Sequence, residues 1–255
     1  MTRHELITAW DDFARKLWAA GAHLMQEAQF PKNDLVKRTA TALVCRTVNN
    51  ISGVRLLLRR GLLVEGRTIT RSCYENLFWI AGLTTKGDAF IQLMSNDSDV
   101  SKRRLGKDLK EFAEKHGHVS EETEKLESFL DGLEATTKGK TGVNNKEEAE
   151  AANLKDGYTI YRALSGDAAH PSLISLSRHI DIIGEDEQLQ IRGAAMLASD
   201  DEVEETLQLA CGAALGVFSG ANTLLGEVLP DDLNQLHEEF KVLCTTKAEV
   251  REPNG

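Results

Sequence analysis

Apolar positions recur at helical spacing along most of the chain. From His4 to Ala28 they fall at Leu6, Trp10, Phe13, Leu17 and Leu24, with Trp18 and Met25 beside them and polar residues opposite. That three-to-four repeat predicts an amphipathic helix. Phe30-Pro31-Lys32 ends it, and Asn33 or Asp34 can cap the next helix. Leu35 to Arg60 keeps the period through Leu43, Val48, Ile51, Val54 and Leu58, with Gly61 as its stop. Leu62 to Thr85 predicts a third, mostly apolar helix, punctuated by Gly87-Asp88. Ala89 to His116 is helical at both ends, and its polar middle (Ser95 to Ser101) predicts a break. Ser120 opens a further helix, with Glu121 and Glu122 in the first turn where the helix dipole favours acids.

The second half is less regular. Thr137 to Asn145 has turn composition throughout and is expected to be a mobile loop. Lys146 to Ser165 reads as helix, interrupted near Asp156-Gly157; Gly166 to Ser172 reads as irregular, and Leu173 to His179 as a short helix. Asp181 to Gly184 and Leu189 to Arg192 flank an acidic turn and fit a small β-hairpin over 181–192. Ser199-Asp-Asp-Glu202 is a capping box, opening a long helix to Leu229. Pro230 starts the last helix, which runs to about Cys244. The expectation is all-α: seven or eight helices in one bundle domain over 1–244, then a polar tail over 245–255.

Composition supports this. Only 4 prolines occur in 255 residues and aromatics are 5%, which disfavours a β-sandwich or barrel. An apolar fraction of 41% with 27% charged residues is that of a folded globule. The net charge of −10 excludes a uniformly basic nucleic-acid coat. Four widely spaced cysteines without a CxxC pair, and a polar N-terminus without an apolar leader, point to reduced thiols and a cytoplasmic location. Thr206 to Gly226 is uncharged and about as long as a membrane span. Its Gln208, Ser219, Asn222 and Thr223, with acidic flanks, instead predict a central buried helix, so no membrane partner is expected.

Three features carry candidate chemistry. Arg67, Arg71 and Glu75 are the only charges on the third helix between 67 and 85, each four apart and therefore along one edge. On so apolar a helix they must share a pocket, pair internally or face a partner. The two readings are a ligand-binding stripe and a buried ion-pair network. Next, Tyr161, Arg162, Ser165, Asp167 and His170 crowd within ten residues, ending on Pro171-Ser172. A carboxylate or carbonyl holding His170 would keep its pKa near neutrality, in the range for acid–base work; alternatively Ser172 caps the next helix and His170 bonds a nearby turn. Last, Gly212, Gly216 and Gly220 form a flat stripe that admits another backbone, within the bundle or across a dimer.

Other motifs are missing. No Walker A loop, GxGxxG, HExxH or GxSxG occurs, so no nucleotide cofactor is expected. Asp167-x-x-His170 has ligand spacing, yet a di-metal bundle needs two such motifs and only one is present, so no metal is expected. Lys102-Arg103-Arg104 with Lys107 and Lys110 is either a phosphate-facing patch or a solvated face.

Arg71-Ser-x-x-Glu75, followed by Tyr161-Arg-x-Leu-Ser165 and His170-Pro-Ser172, resembles an uncharacterised bacterial family of helical proteins known only as a domain of unknown function. The resemblance spans about Leu35 to Leu229; it implies an all-α fold and convergence of Arg71, Glu75, Tyr161, Ser165 and His170, but no activity. A weaker resemblance is to the HEPN superfamily, helical bundles that include metal-independent ribonucleases of toxin and phage-defence systems. Those enzymes pair an Arg with a His at a dimer interface. Here seven residues separate Arg162 from His170, and Ala163 stands where a polar residue is usual. This resemblance implies RNA cleavage or binding by a homodimer, with a defence or stress role. His170 would be the acid–base, Arg162 or Arg71 the phosphate clamp, and Tyr161 and Ser165 the orienting residues. The alternative is a non-catalytic helical module that binds a partner protein or a small anionic ligand through Arg67, Arg71 and Glu75.

Overall fold

The computed structural model describes residues 1–117, 121–137, 139–169, 173–177, 180–183, 188–191 and 199–251. Among the described residues the regular structure is helical apart from one short strand pair. It divides into two compact units: Met1–Thr85 with Asn145–Gly255, and Lys86–Asn144. The Lys86–Asn144 segment packs mainly upon itself.

In the larger unit, α1 (Arg3–Glu27) starts at a capping box: the Thr2 side chain accepts from the Glu5 N–H, and the Glu5 carboxylate accepts from the Thr2 N–H. It buries Leu6, Trp10, Phe13, Leu17 and Leu24, the stripe its periodicity marks. Asp34 caps α2 (Leu35–Arg59), accepting from the Lys37 N–H at 2.9 Å. The helix ends where Gly61 turns left-handed (φ +72°) and the Leu62 N–H reaches the Leu57 carbonyl at 2.9 Å. The long apolar helix α9 (Asp200–Leu225) packs on both α1 and α2, and the expected Ser199–Glu202 capping box opens it. Among the described residues it alone has the length and composition to cross a membrane, and half of its residues are buried against its neighbours. It stops at Leu225, short of Leu229: Gly226 takes φ +93° and the Glu227 N–H closes on the Asn222 carbonyl at 2.8 Å.

The glycine stripe of α9 works within this unit. A Cβ at Gly212, Gly216 or Gly220 would lie 3.2 Å from Phe240, 2.7 Å from Leu77 and 3.1 Å from Ile80, respectively. It therefore admits α3 (Leu63–Lys86) and α10 (Pro230–Arg251) to close range. Helix α10 continues past Cys244 into the expected tail, with the Thr245 and Thr246 hydroxyls donating to the Lys241 and Val242 carbonyls.

The break expected near Asp156-Gly157 lies a few residues earlier. Helix α6 (Asn145–Ala151) ends on Asn153, left-handed at φ +58°, with the Leu154 N–H reaching the Ala149 carbonyl at 2.7 Å. Asn tolerates that conformation better than most side chains. Helix α7 (Lys155–Leu164) runs into one π-helical turn at Ser165–Ala169, a stretch expected to be irregular. Then come α8 (Leu173–Ser177) and an antiparallel pair, β1 (Ile180–Ile183) with β2 (Gln188–Ile191), where Ile180 faces Ile191. The ten α-helices among the described residues exceed the seven or eight expected, partly because 146–165 is two helices.

The smaller unit is an antiparallel hairpin of α4 (Asp88–Lys115) and α5 (Glu121–Thr137). Helix α4 is unbroken: Gln92 donates to Asn96 at 3.1 Å and Lys102 pairs with Asp99 at 3.4 Å, so the polar middle bonds along the helix surface. Lys107 meets Glu134 at 3.0 Å and Lys110 meets Glu127 at 2.7 Å. Ser120 lies outside the described residues.

Candidate functional site

Helix α3 buries Cys73, Tyr74 and Phe78 in a cluster with Ala149 of α6, Leu164 of α7 and Ala213 of α9. Gly157 lets α7 close in, since a Cβ there would already touch Tyr74 and Phe78 at 3.6 and 3.7 Å. The Tyr161 ring stacks on Tyr158 at 5.8 Å and meets Phe78 edge-on at 5.7 Å. Packing thus fixes the ring before any polar contact is counted.

Around that ring four of the expected residues converge. The Arg71 guanidinium donates from Nε to Ser165 Oγ at 2.7 Å and from Nη2 to the Tyr161 hydroxyl at 2.6 Å. Its Nη1 pairs with Glu75 Oε1 at 3.1 Å, and its Cζ lies 4.6 Å from the Tyr161 ring centroid. Tyr161 donates onward to Glu75 Oε1 at 3.3 Å, and Ser165 to the Tyr161 carbonyl at 2.8 Å. The result is a closed polar ring. The Arg71 guanidinium, a candidate phosphate clamp from the sequence, already has three protein partners. Tyr161 and Ser165 direct their hydroxyls at it.

One turn earlier on α3, Arg67 is held by other partners. Nη1 binds Asp167; Nη2 pairs with Glu205 at 3.1 Å and Glu202 at 3.7 Å; Nε donates to Thr206 Oγ1 at 3.3 Å. Three carboxylates surround one buried guanidinium. The π-turn supplies both Ser165 for Arg71 and Asp167 for Arg67, and such turns concentrate at functional sites. Glu202, Glu205 and Thr206 were not legible as site residues. They lie more than 130 positions from Arg67, and locally they look like the acidic first turns of α9.

Beside Arg67 opens a cavity of about 500 Å³. Ile160, Ala163, Leu164 and Leu209 form its apolar walls, and Arg67, Arg162, Asp167 and Glu205 its charged edge. Arg162 is exposed, and its side chain has no hydrogen bond or ion pair among the described residues. Asp167 and Glu205 are both paired with Arg67, which leaves Arg162 as the unmatched charge. His170, with Pro171 and Ser172, lies outside the described residues.

The remaining candidates contribute less. Lys102, Lys107 and Lys110 of the basic run are paired with Asp99, Glu134 and Glu127. Burial pushes the Cys73 thiol up to about 12, and the Cys211 thiol and Tyr74 hydroxyl are also raised by burial, so none of the three is an anionic nucleophile at neutral pH. Among the described residues no group of three or more His, Cys, Asp or Glu is placed to hold a metal ion.

Fold and site together define an all-helical protein with a small mixed apolar and charged pocket. The chain belongs to a family of unknown function (DUF5677), whose model matches residues 37–188, more than half of its length. The match takes in Arg67, Arg71, Glu75, Tyr161, Arg162, Ser165 and Asp167, while Glu202 and Glu205 lie beyond it. No curated protein and no solved structure matches the chain.

Proposed function

We propose that this protein is a non-catalytic helical module that binds a small anionic ligand with an apolar body. The supporting observation is the unmatched Arg162 on the edge of an apolar-walled cavity of about 500 Å³, a size suited to small ligands. The ligand's anionic group pairs with Arg162, and its body lies against Ile160, Leu164 and Leu209. The Arg67 and Arg71 networks act as scaffold: their donors are taken by carboxylates and hydroxyls, which a ligand would have to displace. Three acids beside Arg67 and a net charge of −10 disfavour a long polyanion there.

The test is isothermal titration with two probes, phenyl phosphate and inorganic phosphate, on native protein and Arg162→Ala. Binding of phenyl phosphate at least about tenfold tighter than of inorganic phosphate, lost in Arg162→Ala, supports the reading. Equal binding of both probes, or binding unchanged in Arg162→Ala, overturns it.

The same exposed arginine favours a second reading, the HEPN-like one: metal-independent RNA cleavage by a cytoplasmic homodimer. Arg162 is open to solvent and belongs to the Tyr161-to-His170 motif. It would hold the scissile phosphate while His170 transfers the proton to or from the ribose 2′-hydroxyl. Labelled single-stranded RNA and total tRNA, incubated with EDTA, would be cut by native protein and spared by both Arg162→Ala and His170→Ala. Intact RNA with well-folded native protein removes this reading.

A further inference from the structure

The cavity beside Arg67 carries an available charge of each sign, one from each of two helices. Helix α7 brings Arg162, whose side chain has no hydrogen bond or ion pair among the described residues. Helix α9 brings Glu205, with Leu209 one turn further along the same face. The Glu205 side chain is 49% exposed, and its Oε2 pairs with Arg67 Nη2 at 3.1 Å. Its Oε1 meets no donor among the described residues. Arg67 serves Asp167, Glu202 and Glu205 at once, so its single charge compensates Glu205 only in part. Glu205 therefore presents an acceptor oxygen and a negative potential at the cavity edge. A simple anion lying on Arg162, Ile160, Leu164 and Leu209 leaves that oxygen to water and is repelled by its charge.

We infer that the ligand of this cavity is a zwitterion: its acid group pairs with Arg162, its apolar body lies on the cavity walls, and its primary ammonium donates to Glu205 Oε1. This inference rests on the anion-binding reading and narrows it to molecules that also carry an amine. Both charges are needed for a match. An anion alone meets Glu205, and a cation alone meets Arg162 and Arg67. Each is attracted at one edge and repelled at another, whereas a molecule with both signs is complementary at both.

The test is a competition titration in which six-carbon probes displace phenyl phosphate from native protein and from Glu205→Gln. Hexanoate carries the acid group alone and hexylamine the ammonium alone. L-norleucine carries both groups side by side, and 6-aminohexanoate carries them at opposite ends. One of the two amino acids is expected to bind about fivefold or more tightly than hexanoate and hexylamine, the gain of one partly screened ion pair. Glu205→Gln should erase that advantage while hexanoate binding persists, because the Gln carbonyl can still accept from Arg67. If phenyl phosphate binds through Arg162, but neither amino acid outdoes hexanoate or the advantage survives Glu205→Gln, this inference alone is overturned. If phenyl phosphate does not bind, the anion reading and this inference fall together.

Discussion

Arg71 and Tyr161 stand 90 positions apart and meet twice, through a 2.6 Å hydrogen bond and through the face of the ring 4.6 Å from the guanidinium carbon. The pair ties α3 to α7 at the point where α7 widens into the π-turn. Tyr161→Phe keeps the ring contact and should cost about 1 kcal/mol. Arg71→Ala also leaves Glu75 without its cation and should cost about 2–3 kcal/mol. In urea denaturation, a double-mutant cycle should show a coupling of about 0.5–2 kcal/mol; strict additivity would mean the pair contributes nothing jointly.

Arg67 pairs with Asp167, Glu202 and Glu205 at once. Arg67→Met should destabilise by about 3 kcal/mol or more, because the carboxylates then repel one another without a cation. Arg67→Lys should rescue little, since one ammonium cannot reproduce the forked contacts to Asp167, Glu205 and Thr206. Asp167→Asn should be milder, two acids remaining. Midpoints of chemical denaturation rank the three, and a mild Arg67→Met would show the network to be dispensable.

Two groups set a pH dependence. Burial alone would raise the Asp11 pKa, but hydrogen bonds from Arg55 and Arg59 outweigh it and hold the carboxyl below its ordinary 3.8. A depressed acid contributes its stability above the unfolded-state value and loses it as pH falls below about 4. Asp11→Asn should therefore be clearly weaker than native at pH 6, with the gap closing towards pH 3. Burial, helped by Lys241, lowers His237 below 6.5, and its ring lies 2.9 Å from the Ser219 hydroxyl. The unfolded chain takes up that proton first, so stability falls as pH drops below about 6.5. Melting curves of native protein should shift down between pH 7 and 5 by more than those of His237→Gln; parallel shifts would clear His237 of the effect.

Two helical glycines should respond oppositely to alanine. A Cβ at Gly21 would lie 2.6 Å from Val48 and 2.7 Å from Phe218, both buried, so Gly21→Ala should cost about 1–3 kcal/mol despite its better propensity. Nothing lies within 4 Å of a Cβ at Gly132, so Gly132→Ala in α5 should add up to about 1 kcal/mol. Thermal unfolding of the two variants checks the sign of each.

The sequence by itself determined the helices whose signals are local. The apolar stripe of α1, the Asp34 cap, the Gly61 stop and the Ser199–Glu202 box depend on residues within a few positions of one another. It also marked the polar residues of α3 and α7 that meet in these networks, because charges are conspicuous on apolar helices. Tertiary structure decided their partners. Whether Arg71 is an open clamp or a closed network turns on where Tyr161 and Ser165 arrive, and that depends on Gly157 seating α7 against Tyr74 and Phe78. Glu202, Glu205 and Thr206 reach Arg67 only because α9 packs in the bundle, and no local pattern encodes a contact across more than 130 residues. The division at Lys86–Asn144 was equally hidden: periodicity shows that a helix has an apolar face, while the choice of which neighbour covers it is made by packing.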